Sequence, residues 1–282
     1  MTDALPLNSI RRSCALFATA LLLTSACNDD ASGKGTARAA AAAPGSHASV
    51  SAGDVVIALP STPYTVATIA APGSVQGTVK LDRAPDALPP AGTGTASGIC
   101  GATITDESVQ VQGGGLVGVV VWIEGLRSGK SPGLERRVEL ESDHCKLTPR
   151  VQAAMVGSAV NIIGHDEFRQ HLRFAAAGDS TPRATILLGG GEQVIPTELP
   201  FKAPGMVLVK DAEHAWTRAY LAVFDHPYFA VTGNGGSFAI DGVPPGTYKL
   251  HVWHERTGVS VQDVQVGANG AAKVAISLAP AG

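Results

Sequence analysis

The chain is poor in charged residues and has no cluster of Lys or Arg. Only 16 % of its 282 residues are charged, and the formal net charge is −3. Because proteins that bind nucleic acids carry a basic patch or stripe, this composition argues against a nucleic-acid partner. No nucleophile with an adjacent base and no pair of carboxylates stands out from the sequence either. We therefore expect that the protein is not an enzyme.

One catalytic motif is matched by residue types but not by the chemistry that it requires. Residues 129–133 read Gly-Lys-Ser-Pro-Gly, which is the spacing of a nucleophile elbow. The oxyanion hole of such an elbow uses the backbone N–H of the residue after the Ser. Here that residue is Pro132, which has no backbone N–H. The segment is predicted to be a turn.

The chain also lacks an apolar run long enough to span a bilayer. A short apolar stretch, Cys14 to Leu23, follows Arg11 and Arg12 and leads into Ser25-Ala26-Cys27. This order is typical of a secretory signal peptide, and small residues before a Cys resemble the bacterial lipobox. We predict a signal peptide over residues 1–26 and a lipid on Cys27. The alternative is an ordinary signal peptide that contains Cys27 by chance.

The segment after Cys27 shows almost no hydrophobic periodicity. Residues 28–72 are rich in Ala, Gly, Ser and Thr, a composition that buries too little apolar surface to offset the entropy of the chain. We predict a lipidated, flexible and disordered tether over residues 27–72. The protein is then an exported, membrane-anchored lipoprotein of the bacterial cell envelope, in the periplasm or at the cell surface.

Cysteine is scarce, and each of the four Cys residues has a predicted role. Cys14 is removed with the signal peptide and Cys27 carries the lipid, so Cys100 and Cys145 remain. Outside the cytoplasm an even pair favours a disulfide. We predict that Cys100 and Cys145 are bridged, and the alternative is two free, buried thiols.

Glycine and proline are abundant, and the hydrophobic pattern repeats every second residue. The 33 Gly and 18 Pro favour many turns and short strands. From Gly73 onward, alternation predicts half-buried strands, except that Leu116–Ile123 is apolar on both faces and predicts a central strand. Regular spacing of strands and turns predicts an all-β fold of sandwich type. The segments concerned are Val75–Leu81, Leu116–Ile123, Val138–Glu141, Val160–Ile162, Ile186–Leu188, Met206–Val209, Phe238–Ile240, Tyr248–Val252 and Val274–Leu278.

Two segments leave their local structure open. Asp166 to Phe174 alternates as a strand does, but it also fits a helix capped at Asp166; we favour the strand because its neighbours are strands. Between Val261 and Val264 the alternation changes parity. A β-bulge near Gln262 is the predicted cause.

The C-terminal third carries a family resemblance. Gly236 to Leu250 resembles the carboxypeptidase regulatory-like domain, a transthyretin-like sandwich. Residues 225–232, together with Trp253-His254-Glu255, resemble bacterial exported proteins in which a cupredoxin-like domain precedes this regulatory-like domain. The resemblance implies a cupredoxin-like domain over residues 73–221 and a regulatory-like domain over residues 222–282. Residues 225–229 are then expected at the junction, with two of their aromatic rings, those of Tyr228 and Phe229, buried.

The resemblance also implies a copper site in an altered form. Members of this kind have a His four residues after an Asp, and later a Cys-x-x-His-x-x-Met motif. In this chain His214 matches the later His, whereas Asp211 replaces the Cys and Thr217 replaces the Met. Gln170 occupies the earlier His position and His171 comes one place late, which on a strand is the opposite face. We predict a degenerate site whose candidate metal ligands are His214, His171 and Asp211.

These expectations converge on a binding or structural module without a cofactor. Its expected partners are the membrane, through the lipid, and an envelope protein or a glycan. Trp253, Trp216 and Tyr228 are candidates for an aromatic platform, although such residues also pack between domains. The alternative function is a periplasmic copper-binding or electron-transfer protein, since soft and imidazole ligands suit copper.

Overall fold

The regular structure of the described residues consists mostly of β-strands, so the predicted all-β class is confirmed. The computed structural model describes residues 63–133, 137–198 and 202–280. Its strands, in chain order, are β1 (Thr65–Val66), β2 (Gly73–Leu81), β3 (Ala91–Gly92), β4 (Thr103–Ile104), β5 (Gln110–Gln112), β6 (Gly115–Val117), β7 (Val120–Ile123), β8 (Ser128–Gly129), β9 (Arg137–Asp143), β10 (Lys146–Thr148), β11 (Val151–Met155), β12 (Ala159–Gly164), β13 (Gln170–Ala176), β14 (Ala184–Leu188), β15 (Gln193–Glu198), β16 (Gly205–Asp211), β17 (Arg218–Phe224), β18 (Phe229–Val231), β19 (Ser237–Val243), β20 (Gly246–His254), β21 (Gly258–Val266) and β22 (Ala271–Leu278).

Helical structure is limited to short turns. An α-helical turn, α1, spans Ser97–Cys100, and 3-10 turns span Gly94–Ala96 and Asn234–Gly236. Within the three described ranges, no helix has the length and apolarity needed to cross a bilayer. The predicted signal peptide, Cys27 and residues 28–62 of the predicted tether lie outside the described residues.

Two sheets stack to form the first sandwich. A four-stranded sheet runs in the order β10-β9-β12-β15, and a five-stranded sheet runs in the order β11-β17-β16-β13-β14. Alternate residues of both sheets point inward and form one core, because each strand presents every second side chain to the same face. Core residues include Leu140, Val160, Ile162, Leu172, Phe174, Val209, Leu221 and Val223.

The second sandwich combines strands from both ends of the described chain. One sheet has the order β19-β2-β22 and the other has the order β18-β7-β20-β21. Strands β2 and β7 precede the predicted boundary at residue 221, yet they pair with strands that follow it. The predicted division into residues 73–221 and 222–282 stays a prediction, but the sheets draw on both segments.

An aromatic cluster joins the two sandwiches. Trp122 and Trp253 of the second sandwich pack with Met206 and Phe224 from the outer face of the five-stranded sheet. Phe229 stacks on Phe224 with ring centroids 4.7 Å apart. In the predicted junction, Tyr228 is fully buried as expected, whereas Phe229 is half-buried.

Two predicted details of the strands are wrong. The expected single strand over Leu116–Ile123 is two strands, β6 and β7, because Gly118 has a φ of +76° between them. The expected bulge near Gln262 is absent, since β21 pairs with β20 in an unbroken register. The irregularity in this sandwich lies instead between Asp241 and Val243 of β19.

The predicted disulfide is present and closes on a tight turn. Cys100 and Cys145 are bonded, with their Cα atoms 5.8 Å apart. Cys145 follows His144 in the two-residue turn between β9 and β10, and both residues have positive φ values, +64° and +50°. Such turns match the strand twist but favour Asn and Gly. Holding two other residues in this conformation requires outside support, which the bonds described below supply.

Candidate functional site

Two of the three predicted metal ligands meet in the loop between β16 and β17. The Nδ1 atom of His214 lies 3.0 Å from the Oδ2 atom of Asp211. Both side chains are buried. The other carboxylate oxygen of Asp211 accepts a hydrogen bond of 2.8 Å from the backbone N–H of Glu213. Asp211 and His214 therefore satisfy each other and fix the loop.

Gln170 occupies the interior place where the resemblance implies a His. Its Nε2 atom donates to Asp166 over 3.2 Å. The hydroxyl oxygen of Ser142 lies 2.7 Å from Gln170 Oε1 and 2.8 Å from Asp166 Oδ2, so one proton serves two acceptors. Gln170 and Ser142 are both buried. This position is thus filled by a hydrogen-bonded amide and hydroxyl.

The disulfide turn connects these two groups of side chains. The backbone N–H of Cys145 donates to Asp166 Oδ1 over 2.9 Å. The carbonyl oxygen of Cys145 accepts from Trp216 Nε1 over 3.1 Å and lies 3.5 Å from the hydroxyl of Thr217. Thr217 is buried. Residues that the sequence resemblance assigned to a copper site thus connect the turn, the loop and the start of β13 by hydrogen bonds.

His171 does not join Asp211 and His214. It lies on the face of β13 opposite to buried Gln170, and its Nδ1 atom is 3.0 Å from Glu213 Oε1. Among the residues that the structure describes, no three side chains of His, Cys, Asp or Glu form a group able to hold a metal ion. One imidazole and one carboxylate that bond each other do not fit the thiolate and imidazole set of a blue-copper centre.

A cleft opens beside this cluster, and we call it the Trp216 cleft. Its volume is about 510 Å³. Its lining includes the half-buried ring of Trp216 and the charged side chains of Lys146, Arg150, Arg218 and Glu255. One aromatic ring with several polar groups on a partly apolar wall is the usual make-up of a small-ligand site.

A half-buried ion pair forms one side of the Trp216 cleft. The guanidinium of Arg150 reaches both carboxylate oxygens of Glu255, at 2.5 Å and 2.9 Å. Burial opposes the charge of Arg150, yet the bonds and the charge of Glu255 raise the pKa of Arg150 overall. Two parallel bonds of this kind fix both side chains, so this side of the cleft is rigid before any ligand arrives.

Neighbouring His254 is uncharged at neutral pH. Burial, followed by the charges of Arg150 and Arg256, lowers the pKa of His254 to about 4. Its Nδ1 atom accepts a hydrogen bond of 3.3 Å from the backbone N–H of Arg256. At this wall His254 is a fixed, neutral acceptor.

The opposite wall is the long connection between β2 and β5. It supplies Leu88, Ile104 and Asp106 to the cleft. Several links tie this connection to the body of the protein, among them the disulfide at Cys100, an ion pair between Glu107 and Lys146, and contacts from Arg256 to Asp106, to Ser108 and to the carbonyl of Asp86. A loop held at several points keeps the cleft open in a defined shape.

Of the three predicted platform aromatics, the structure places Trp216 alone at this surface. Trp253 and Tyr228 are fully buried. The sequence pointed to Trp216, Glu255 and Asp166, the last as the Asp four residues before Gln170, but it did not indicate Arg150 and Arg218 as parts of one region. These two residues are far apart in the chain and share no motif, so no spacing pattern indicates that they converge.

The matched family model concerns the C-terminal part of the chain. Residues 202–274 match the family described as polysaccharide lyase family 4, domain II. The match covers less than half of the chain and includes Trp216, Arg218 and Glu255. No curated protein sequence matches the chain.

Solved structures of copper proteins resemble parts of the fold. A Cu-containing nitrite reductase (NirK) from Thermus scotoductus SA-01 aligns at 20 % identity and a TM-score of 0.27, over 31 % of this chain and 22 % of that chain. A mutant of amicyanin with Cu(I) aligns at 17 % identity and a TM-score of 0.23, over 37 % of this chain and 98 % of that chain. The chain thus spans less than a quarter of the nitrite reductase. Likenesses at this level concern the fold alone.

Proposed function

We propose that the protein is an exported, lipid-anchored and non-catalytic module of the bacterial cell envelope that binds a glycan in the Trp216 cleft. The cleft carries this proposal, because it combines an anchored indole ring with fixed polar groups. An aromatic ring gives a sugar a flat apolar surface at little cost in side-chain entropy, and the polar groups bond its hydroxyls.

The region of the family match supports a carbohydrate ligand. The matched model belongs to a domain of a polysaccharide lyase family, and the match includes the side of the cleft formed by Trp216 and Glu255. A binding role without catalysis agrees with the pairing of the charged groups. Glu255 bonds Arg150, and Glu107 bonds Lys146, so these carboxylates serve as fixed partners of cations.

The second sandwich is proposed to be carboxypeptidase regulatory-like. The sequence from Gly236 to Leu250, on which the resemblance rests, contains β19 and the first residues of β20, which belong to the two different sheets of this sandwich. Gly242, with a φ of +69°, lies near the end of β19, and Pro244 and Pro245 connect the two strands. In this proposal the second sandwich supports the Trp216 cleft through His254 and Glu255 at the end of β20.

Replacing Trp216 tests the glycan site. We expect Trp216→Ala to lower the affinity for the bound glycan at least about tenfold, since stacking contributes about 0.5–1.5 kcal/mol beyond simple burial and the anchored edge is lost as well. Trp216→Phe should restore part of this affinity. The measurement is calorimetric titration of the full-length chain with oligosaccharides selected on a glycan array.

Val261→Ala is the control, because Val261 is an exposed apolar residue on β21. It should bind like the parent protein. Thermal unfolding of each variant shows whether the fold is intact. Unchanged glycan binding by a folded Trp216→Ala variant would reject the Trp216 cleft as the site, and binding to peptides with no glycan bound would reject the glycan class.

Replacing Cys27 tests the anchor. The segment that ends in Ser25-Ala26-Cys27 supports lipidation at this residue, and an acyl anchor adds about 0.8 kcal/mol of membrane affinity per buried CH₂ group. We expect Cys27→Ala to shift the protein from the membrane fraction to the soluble fraction of the cells that express it. Cys14→Ala, which changes a Cys inside the predicted signal peptide, should leave the protein on the membrane. Equal membrane fractions for Cys27→Ala and the parent would exclude a lipid on this residue.

A further inference from the structure

Three basic residues lie side by side on adjacent strands of the five-stranded sheet. Arg173 of β13 pairs with Lys210 of β16, and Lys210 pairs with Arg218 of β17. Directly paired residues have their Cβ atoms about 4.5–5.5 Å apart. Arg173, Lys210 and Arg218 therefore form one continuous row, which we call the basic row. Arg173 lies far from the other two in sequence, so no basic segment contains all three.

The basic row lies on the outer face of the sheet. The residues next to its members along the strands, namely Leu172, Val209 and Ala219, point into the first sandwich, and side chains alternate between the two faces of a strand. Arg173 and Lys210 are exposed, and Arg218 is half-buried. The aromatic cluster that joins the sandwiches covers another part of this face, around Met206 and Phe224.

The positive charge of the basic row is not balanced by carboxylates. Over the described part of the chain, none of its three members has an Asp or Glu oxygen within ion-pair distance. Arg218 donates to the carbonyl oxygen of Ala215 over 3.1 Å. A nearby acid, Glu213, is already paired with His171. Like charges directly opposite each other destabilise a sheet, so the row has a cost that an anionic partner removes.

The basic row continues into the Trp216 cleft. Arg218 belongs to both, since it ends the row and also lines the cleft next to Trp216. The other cations of the cleft, Arg150 and Lys146, are held by Glu255 and Glu107. Among the described residues that line the cleft, Arg218 is therefore the Lys or Arg side chain that no carboxylate pairs; its partners are the carbonyl of Ala215 and the side chain of Tyr220.

We infer that the Trp216 cleft and the basic row form one binding site for an anionic polysaccharide whose sugars carry carboxylates. This inference rests on the proposed glycan-binding function and names the class of glycan. Trp216 stacks against one sugar ring. The planar guanidinium of Arg218 pairs with the carboxylate of that sugar through two parallel hydrogen bonds. Lys210 and Arg173 pair with carboxylates of the following sugars along the chain.

Two forms of one oligosaccharide separate charge from shape. The probes are a tetramer of galacturonic acid and the same tetramer with every carboxylate methyl-esterified. We expect the full-length protein to bind the acid form at least tenfold more tightly than the ester, with an affinity that falls as salt rises, because exposed charges are screened. In the double variant Arg173→Gln, Lys210→Gln, affinity for the acid form should fall tenfold or more and its salt dependence should weaken, with no change for the ester.

Lys273→Gln is the matched control, because Lys273 is an exposed strand lysine on β22, outside the basic row. It should bind both forms like the parent. If the double variant binds the acid form as the parent does while Trp216→Ala still loses binding, the inference is overturned and the proposed function stands. If neither form binds the parent, and no other acidic or neutral glycan does, both are overturned. Loss of binding by the double variant to vesicles of phosphatidylglycerol and phosphatidylcholine, with unchanged binding to the acid form, assigns the row to a membrane surface and overturns the inference.

Discussion

The carboxylate of Asp166 joins the hairpin of β9 and β10 to the start of β13. Its Oδ1 atom accepts from the backbone N–H of Cys145, and its Oδ2 atom accepts from Ser142 and Gln170. The turn that it supports contains two residues with positive φ, a conformation that costs free energy for side chains other than Gly. Hydrogen bonds to an ionised group contribute about 1.5–3 kcal/mol each. Asp166 is thus a structural centre of the region around the β9–β10 turn.

We predict that Asp166→Asn lowers the free energy of unfolding by about 2–3 kcal/mol. The amide replaces one acceptor oxygen by an NH₂ group, which must face either the Cys145 N–H or the Nε2 atom of Gln170. The measurement is urea unfolding of the oxidised protein. Asp143→Asn is the control, because Asp143 pairs with His144, whose side chain is highly exposed, and this change should cost less than about 1 kcal/mol. Equal stability of both variants would refute the role of Asp166.

The sequence identified the residues at the positions of the copper-type motif but not their hydrogen-bond partners. It placed His214, Asp211, Thr217 and Gln170 at the copper positions, and all four are buried in one region of the first sandwich. It did not indicate that Asp211 bonds His214, or that Gln170 bonds Ser142. The amide of Gln170 cannot bind a metal as an imidazole does, and its partner Ser142 lies on β9, outside the motif.

The strands themselves were predictable wherever one face is buried and the other is not. The segments Val75–Leu81, Val138–Glu141 and Tyr248–Val252 alternate, and each lies within an observed strand. The strand reading of the ambiguous segment after Asp166 is confirmed from Gln170 onward. Its first residues, up to Arg169, are not strand. There the carboxylate of Asp166 caps the disulfide turn instead of a helix.

The two wrong details have different physical origins: apolar residues on both faces of β21, and a backbone break at Gly118 between β6 and β7. In β21, Val259 packs against the aromatic cluster that joins the sandwiches, while Val264 and Val266 point into the second sandwich. Apolar residues thus occur on both faces of a regular strand, which the sequence alone presents as a change of parity. Between β6 and β7, Thr232 bonds the backbone of Val119 and Leu116 and stabilises the break at Gly118.

Pairing between distant strands escaped prediction as well. Strand β2 is parallel to β22, and β11 is parallel to β17. Parallel partners need long connections, so no turn signal marks them. The antiparallel register that aligns Arg173, Lys210 and Arg218 could not be predicted from the sequence either. It is set by the packing of the sandwich core and not by any local pattern.

Over the whole molecule, two buried imidazoles couple folding to pH. His226 lies near the joined sandwiches, where its Nδ1 atom accepts from the backbone N–H of Tyr228 over 3.2 Å. Burial, aided by the charge of Arg127 and opposed by that of Asp225, lowers the pKa of His226 to about 4. Burial and the nearby arginines likewise lower the pKa of His254 to about 4. Both imidazoles are neutral in the folded protein at pH 7.

The sign of the effect follows from proton uptake. In the unfolded chain both imidazoles have a pKa near 6.5, so between pH 6.5 and pH 4 the unfolded state binds protons that the folded state does not. Stability is therefore fully present above about pH 6.5 and is lost as pH falls toward 4. A shift from 6.5 to about 4 corresponds to about 3 kcal/mol for each His.

We predict that the free energy of unfolding falls steeply from pH 7 to pH 4.5, and that His226→Asn and His254→Asn each remove about half of this slope. Asn keeps an acceptor near the Nδ1 position, so Tyr228 and Arg256 keep their hydrogen bonds, while no proton is taken up. Urea unfolding at several pH values measures the slope. His144→Asn is the control, since the side chain of His144 is 90 % exposed and its loss should leave the slope unchanged. A slope that persists when His226→Asn and His254→Asn are combined would show that carboxylates, and not these two imidazoles, link the stability of the joined sandwiches to pH.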